Sequence, residues 1–228
     1  GDRQPEFTQL DLEMSFVQRE DIMALVEEMF STMVTELTPD KHMLATPWPR
    51  FTYREVMERF GKDNPDIRFG MELKDVTDLA AGSGFQVFDR AVQDGGHVRG
   101  LNVRGCGSYS RKDIDELTQF VAKFGARGLA YLAVGEGGEH RSSFAKFLTP
   151  ERLAEVVARL QGDPGDLLLF VADKPSVVFE SLGRLRVHLA EILGLADPDL
   201  LAFCWVIDFP YAFWNEEENR WDPSHHLF

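Results

Sequence analysis

The sequence predicts an α+β fold, and three observations carry that prediction. Residues 10–16, L-D-L-E-M-S-F, alternate apolar and polar side chains with the period of a strand. Four stretches, at residues 22–37, 114–124, 153–160 and 178–192, repeat apolar residues every three or four positions, as a helix does. Residues 129–134 and 166–171, apolar except for Asp166, read as buried strands, without the regular strand–helix alternation of a doubly wound sheet.

In residues 10–16, Leu10, Leu12, Met14 and Phe16 share one face; Asp11, Glu13 and Ser15 share the other, with Gln9 in line. A strand so near the first residue needs neighbours that lie outside the chain or far along it. The strand expected at residues 203–208 is therefore predicted to share one antiparallel sheet with it. Ile22, Leu25, Val26, Met29, Met33 and Leu37 make a helical stripe, with Glu20 and Asp21 at its positive end and Thr38-Pro39-Asp40 closing it. Thr46-Pro47-Trp48-Pro49 is extended, and residues 54–60 form a short helix closed by Gly61. Asp63-Asn64-Pro65-Asp66 is turn chemistry and marks a candidate domain boundary.

Beyond Met71, glycines separate short apolar runs such as residues 85–88 and 98–103. Ser110 and Asp113 form a capping box ahead of Ile114, Leu117, Val121 and Phe124, with Gly125 as the stop. Thr149-Pro150 is a helix start for Leu153, Val156, Val157 and Leu160. Val178, Leu182, Leu185, Leu189 and Ile192 define the last long helix, ended by Gly194. Residues 215–219 are a polar hairpin turn between Phe213-Trp214 and Trp221.

Composition bounds the function. The 228 residues carry 24 Lys+Arg against 38 Asp+Glu, a net charge of −14. That balance argues against a general nucleic-acid coating protein and leaves room only for docking through a local basic patch. The length suggests one large or two modest domains. The longest apolar run, residues 200–207, falls far short of the roughly 18 residues of a membrane span. Cys106 and Cys204 make neither a disulfide framework nor a four-ligand zinc site, so a reducing cytoplasm is the default. Gly1 is not Met and no signal peptide follows, so the chain begins after processing or inside something longer. The phosphate-binding loop, G-x-S-x-G and H-E-x-x-H patterns are absent. Gly105-Cys106-Gly107 reads as a surface turn, and the adjacent His225-His226 lack a Cys or carboxylate cluster with metal-ligand spacing.

Several blocks together resemble one family. Asp2-Arg3-Gln4-Pro5-Glu6-Phe7-Thr8-Gln9-Leu10-Asp11-Leu12-Glu13 resembles the second half of the second class II signature motif of bacterial-type aspartyl-tRNA synthetases. Gly61-Lys62-Asp63-Asn64-Pro65-Asp66-Ile67-Arg68 resembles that family's G-x-D-x-P-D-x-R stretch. Gly128-Leu129-Ala130-Tyr131 and Ala145-Lys146-Phe147-Leu148 resemble elements of its inserted domain, a type shared with a subunit of tRNA-dependent amidotransferases. Trp205-Val206-Ile207-Asp208-Phe209-Pro210 and His225-His226 resemble the return to the catalytic domain. Leu227 stands where the family usually has Pro, and Arg104-Gly105-Cys106-Gly107 replaces its P-G-G run.

The resemblance implies part of a class II synthetase antiparallel catalytic sheet with an inserted α+β domain. Residues 1–67 and 198–228 would be core segments and residues 68–197 the insertion. It implies an aspartate–tRNA ligase that activates L-aspartate with ATP and Mg²⁺ to aspartyl-adenylate, then transfers it to the 3′ end of tRNA. A cytoplasmic, homodimeric parent is expected. Asp11 would meet the substrate ammonium, His225 and His226 would line the aspartate pocket, and Gln4 would help hold ATP. Gln9 and Glu13 are candidates for orienting their neighbours. No metal ligand is assigned. The motif-two and motif-three arginines that clamp ATP would lie outside the chain, so the chain alone is expected to be inactive. The alternative is a non-catalytic tRNA-binding or interaction module derived from a synthetase. An asparagine-forming ligase on the same core is disfavoured, because the resemblance runs through the insertion.

Overall fold

A computed structural model describes residues 6–215 and 218–224. The chain opens with α1 (Arg19–Leu37), two short strands β1 (His42–Met43) and β2 (Arg50–Thr52), and α2 (Tyr53–Phe60). Then come β3 (Lys74–Asp75), α3 (Thr77–Ala80), α4 (Gln86–Gln93), β4 (His97–Val103), α5 (Arg111–Ala122), β5 (Ala130–Ala133), β6 (Arg141–Ser142), α6 (Pro150–Arg159), β7 (Leu167–Asp173) and α7 (Pro175–Leu193). The last elements are β8 (Leu200–Leu201), β9 (Trp205–Ile207), β10 (Ala212–Asn215) and β11 (Arg220–Pro223).

Local chemistry sets the helix ends. Thr52 and Glu55 cap α2 reciprocally, and Gly61 at φ 69° ends it. Ser110 and Asp113 do the same for α5. Thr149 accepts from the Arg152 N–H at the start of α6, whose first residue is Pro150.

Five strands form one antiparallel sheet in the order β3-β4-β7-β5-β6. Leu101 and Val103 of β4 and Leu169 and Val171 of β7 pack against Ile114, Leu117 and Val121 of α5 and Val178, Leu182, Leu185 and Leu189 of α7. Val98, Leu168 and Phe170 point the other way, onto Phe88 of α4 and Val156 and Leu160 of α6. Both faces are covered, which is why β7 reads as an unbroken apolar run rather than an alternation. Two small parallel pairs join strands across a long sequence gap. β1 runs parallel to β8, with His42 beside Leu200, and β2 runs parallel to β9, with Phe51 beside Val206. β10 and β11 close the predicted hairpin, with Trp214 opposite Trp221.

Four expectations need correction. Residues 10–16 form no strand and join no sheet among the described residues. Leu10 is 68% exposed, and Asp11 and Glu13 are exposed too. Alternation dictates which side chains share a face, but a strand persists only where a neighbour takes its backbone hydrogen bonds, and none runs alongside. The expected antiparallel pairing with residues 203–208 is therefore absent; β9 pairs with β2 instead, in parallel. The α1 helix exists, but its stripe is not a core face: Met23 is buried, whereas Ile22, Leu25, Met33 and Leu37 are exposed. Cys106 lies in a turn as expected, yet its side chain is 6% exposed and packs into the α5–α7 core. The apolar run at 85–88 opens α4, because the Asp89 carboxylate accepts from the Ser83 and Gly84 N–H groups and gathers the chain ahead of the helix.

Candidate functional site

The six residues expected at the substrate pocket divide into two groups. Gln4, His225 and His226 lie outside the described residues. Gln9, Asp11 and Glu13 lie on the exposed segment that leads into α1, so Asp11 stands in solvent rather than in an assembled pocket. A cavity of about 560 Å³ opens between residues 69–72, Lys74, Asn102, Arg104, Leu160, Gln161, Leu193 and Leu195, and contains none of the six.

The segment carrying Asp11 is anchored where α1 meets β2 and β9. Glu27 of α1 accepts from the Trp48 backbone N–H at 2.7 Å and from Trp205 Nε1–H at 3.2 Å. The Trp48 ring stacks on Phe203 with centroids 4.6 Å apart. At the N-terminal end of α1, Arg50 of β2 pairs with Glu20, and Arg19 approaches Asp208 at 3.7 Å. The hydrogen bond from Arg50 holds the exposed Glu20 carboxyl below its ordinary range. Glu27 and Arg50 were not singled out by sequence, and Trp205 entered only within the block that resembles the family's return segment. Their roles depend on partners more than twenty residues away, and a Glu within an amphipathic helix reads as a solvated face.

Several charged groups at or near the cavity are paired. Arg59 of α2 forks onto Glu72 at 2.6 and 3.2 Å, and Lys74 reaches the same carboxylate at 3.2 Å. The Arg59 hydrogen bond, opposed by burial and reinforced by Lys74, keeps the Glu72 carboxyl low. Asp166 accepts from the Gly105 and Asp163 N–H groups and from Asn102 Nδ2, fixing the turn that holds Cys106. These groups build structure; none is poised as a nucleophile or an unpaired acid–base. Among the described residues no group of three or more His, Cys, Asp or Glu side chains is placed to hold a metal ion. No helix among them is long and apolar enough to cross a membrane.

Residues 88–182 match the GAD domain family model, a span that covers most of α4, strands β4 to β7 and the first part of α7. Over its whole length the chain is homologous to curated proteins named aspartate--tRNA(Asp/Asn) ligase. It is 57% identical to the one from Symbiobacterium thermophilum, 56% to that from Moorella thermoacetica and 53% to that from Rubrobacter xylanophilus, each over 228 residues. The chain spans about 38% of the length of these relatives. A solved structure of a hypothetical protein from Pyrococcus horikoshii aligns at TM-score 0.32 and 18% identity, covering 51% of this chain and 71% of that one.

Proposed function

We propose that this chain is a segment of an aspartate–tRNA ligase, an enzyme that activates L-aspartate with ATP and passes it to tRNA. The observation that carries the proposal is 53–57% identity to three such ligases, sustained over all 228 residues. On this reading residues 1–67 and 198–228 are segments of the class II antiparallel catalytic core, and residues 68–197 are its insertion. The parent is a cytoplasmic homodimer.

The chemistry runs in two steps. A carboxylate oxygen of aspartate attacks the α-phosphorus of ATP; a P–O bond forms, the bond to the bridging oxygen breaks, and pyrophosphate leaves with that electron pair. A ribose hydroxyl at the 3′ end of tRNA then attacks the activated carbonyl, its proton is lost, and AMP leaves. Both steps respond to positioning and charge neutralisation, without a covalent enzyme intermediate. Asp11 supplies the anion for the substrate ammonium. His225 and His226 line the pocket and donate toward the substrate carboxylate, which favours aspartate over uncharged analogues. Gln4 holds ATP through an amide that donates and accepts at once. Gln9 and Glu13 orient these groups. Mg²⁺ neutralises the ATP phosphates when bound. No group of three or more His, Cys, Asp or Glu among the described residues is placed to ligate it.

The test is Asp11→Asn in the full-length parent. Asn keeps the shape and removes the charge, so a charge-assisted hydrogen bond of about 1.5–3 kcal/mol falls toward about 1 kcal/mol. The aspartate KM in pyrophosphate exchange should rise roughly 2- to 30-fold, with the ATP KM unchanged. An unchanged aspartate KM in a folded variant removes Asp11 from the site.

A further inference from the structure

We propose that residues 60–70, which contain the G-K-D-N-P-D-I-R stretch, act with Arg186 as a lock that holds the five-stranded-sheet body at one fixed orientation on α2 and its neighbouring strand pairs. The inference concerns the joint between two sets of elements and holds whether or not the parent catalyses the reaction proposed above.

The chain crosses between the two sets twice. It leaves after α2, through residues 61–73, and returns after α7, through residues 194–199. A flexible tether would show few contacts at these crossings. Here the two backbones touch. A Cβ on Gly183, in the middle of α7, would sit 2.6 Å from Gly61 O and 3.0 Å from Phe60 O, and one on Gly61 would run into Phe179 O. Gly61 also needs its left-handed φ of 69° to end α2, so the residue serves both the turn and the contact.

Two arginines then tie the crossings together. Arg68 forks onto Asp66, with Nε–Oδ1 at 3.0 Å and Nη2–Oδ2 at 2.7 Å. Its Nη1 reaches the Asp197 carbonyl at 3.4 Å, on the returning pass. Arg186 comes from inside α7 and is 1% exposed. It donates to Phe69 O at 2.8 Å and to Gly70 O at 2.8 and 3.2 Å. Its guanidinium lies 4.1 Å from the Phe69 ring centre and 5.0 Å from that of Phe60. Every one of these partners belongs to residues 60–70. A buried cation is tolerated only where it is paired or hydrogen-bonded, so Arg186 is satisfied by the closed joint. Burial pushes its pKa down to about 10, against the pull of Asp66 and Glu72, and it stays charged at neutral pH.

The fastening is reciprocal. Arg99 of β4 donates to Glu58 O of α2 at 2.8 Å, while Arg59 of α2 forks onto Glu72 at the foot of the sheet body. Planar forks suit this work, since one guanidinium can serve two carbonyls and stack on a ring, which a lysine cannot.

The test is hydrogen exchange read by mass spectrometry on the 228-residue chain. Arg186→Met keeps the aliphatic stem and removes the donors. Losing charge-assisted hydrogen bonds to residues 69 and 70 should speed exchange across residues 61–73 about tenfold or more, while β7 stays protected. Leu189→Ala, one turn further along α7 in the sheet-body core, is the control: it lowers global stability without opening the joint selectively. Arg68→Met lies at a half-exposed position and serves if Arg186→Met does not fold; it should loosen residues 61–70 and 194–199 together. Exchange at the joint unchanged in both folded variants, or raised only in step with β7 as in the Leu189→Ala control, overturns the lock.

Discussion

Gly183→Ala gives a prediction whose sign depends on the α2–α7 contact. In an isolated helix, replacing a mid-helix glycine by alanine gains about 1 kcal/mol. In this fold the new Cβ would lie 2.6 Å from Gly61 O, with the Gly61 carbonyl carbon and Phe60 O at 3.0 Å. Ordinary Cβ contact begins near 3.4 Å, so the backbones must part by about 3.4 − 2.6 = 0.8 Å. All three obstructing atoms are main-chain, so no side chain can swing aside. Overpacking of this kind costs about 1–3 kcal/mol, and parting the two segments also stretches the Arg186 hydrogen bonds, which places the cost at the upper end. Subtracting the helix-propensity gain leaves a net loss of about 2 kcal/mol. For a chain of this size that is a fall of roughly 4–8 °C in Tm. Thermal and urea unfolding followed by circular dichroism measure it. A Tm that holds steady or rises would mean that α2 and α7 do not meet at Gly61 and Gly183.

Three further outcomes follow from particular groups. Burial raises the Asp166 pKa, but bonds from Asp163, Gly105 and Asn102 outweigh it and leave the carboxyl below its ordinary 3.8. The folded value is depressed, so Asp166 contributes stability above about pH 4 that is lost as pH falls through the folded pKa. Asp166→Asn should lower stability at neutral pH and flatten its decline in acid; urea curves at pH 7 and pH 3 compare the two, and an unchanged acid slope counts against the assignment. Leu185→Ala, at a fully buried position between α7 and the sheet, should cost about 2–5 kcal/mol, whereas Leu10→Ser on the exposed leading segment should stay within about 0.5 kcal/mol by the same measurement. The 228-residue chain by itself should give no aspartate-dependent pyrophosphate exchange near the rate of a full-length ligase, because the resemblance places both ATP-clamping arginines outside it; exchange at that rate would contradict that placement.

The sequence by itself determined what depends on neighbours along the chain. The Ser110–Asp113 box, Thr149-Pro150 and Gly194 mark helix ends because caps act over three or four residues. Residues 166–171 read as a buried strand because both faces of β7 are covered and both sets of side chains must be apolar. The short ordered blocks, from Asp2–Glu13 to His225-His226, were enough to show the resemblance that the whole-length relatives bear out. The roles proposed for Gln4, Asp11, His225 and His226 rest on that resemblance alone, since a lone carboxylate on a polar face carries no substrate in its spacing.

Only the tertiary structure decided which surfaces meet. The alternation in residues 10–16 is genuine, yet strand formation needs a partner's N–H and C=O groups, and periodicity says nothing about whether a partner is there. The stripe on α1 is equally periodic, but only packing makes a stripe into a core, and that helix buries Met23 instead. Neither Gly183 nor Arg186 carries any local pattern that marks its contacts. The fold brings Gly61 to the first and the carbonyls of Phe69 and Gly70 to the second, more than a hundred residues away. Such contacts leave no local pattern, because the energy lies in two distant segments fitting each other, and each segment alone satisfies its own rules without the other.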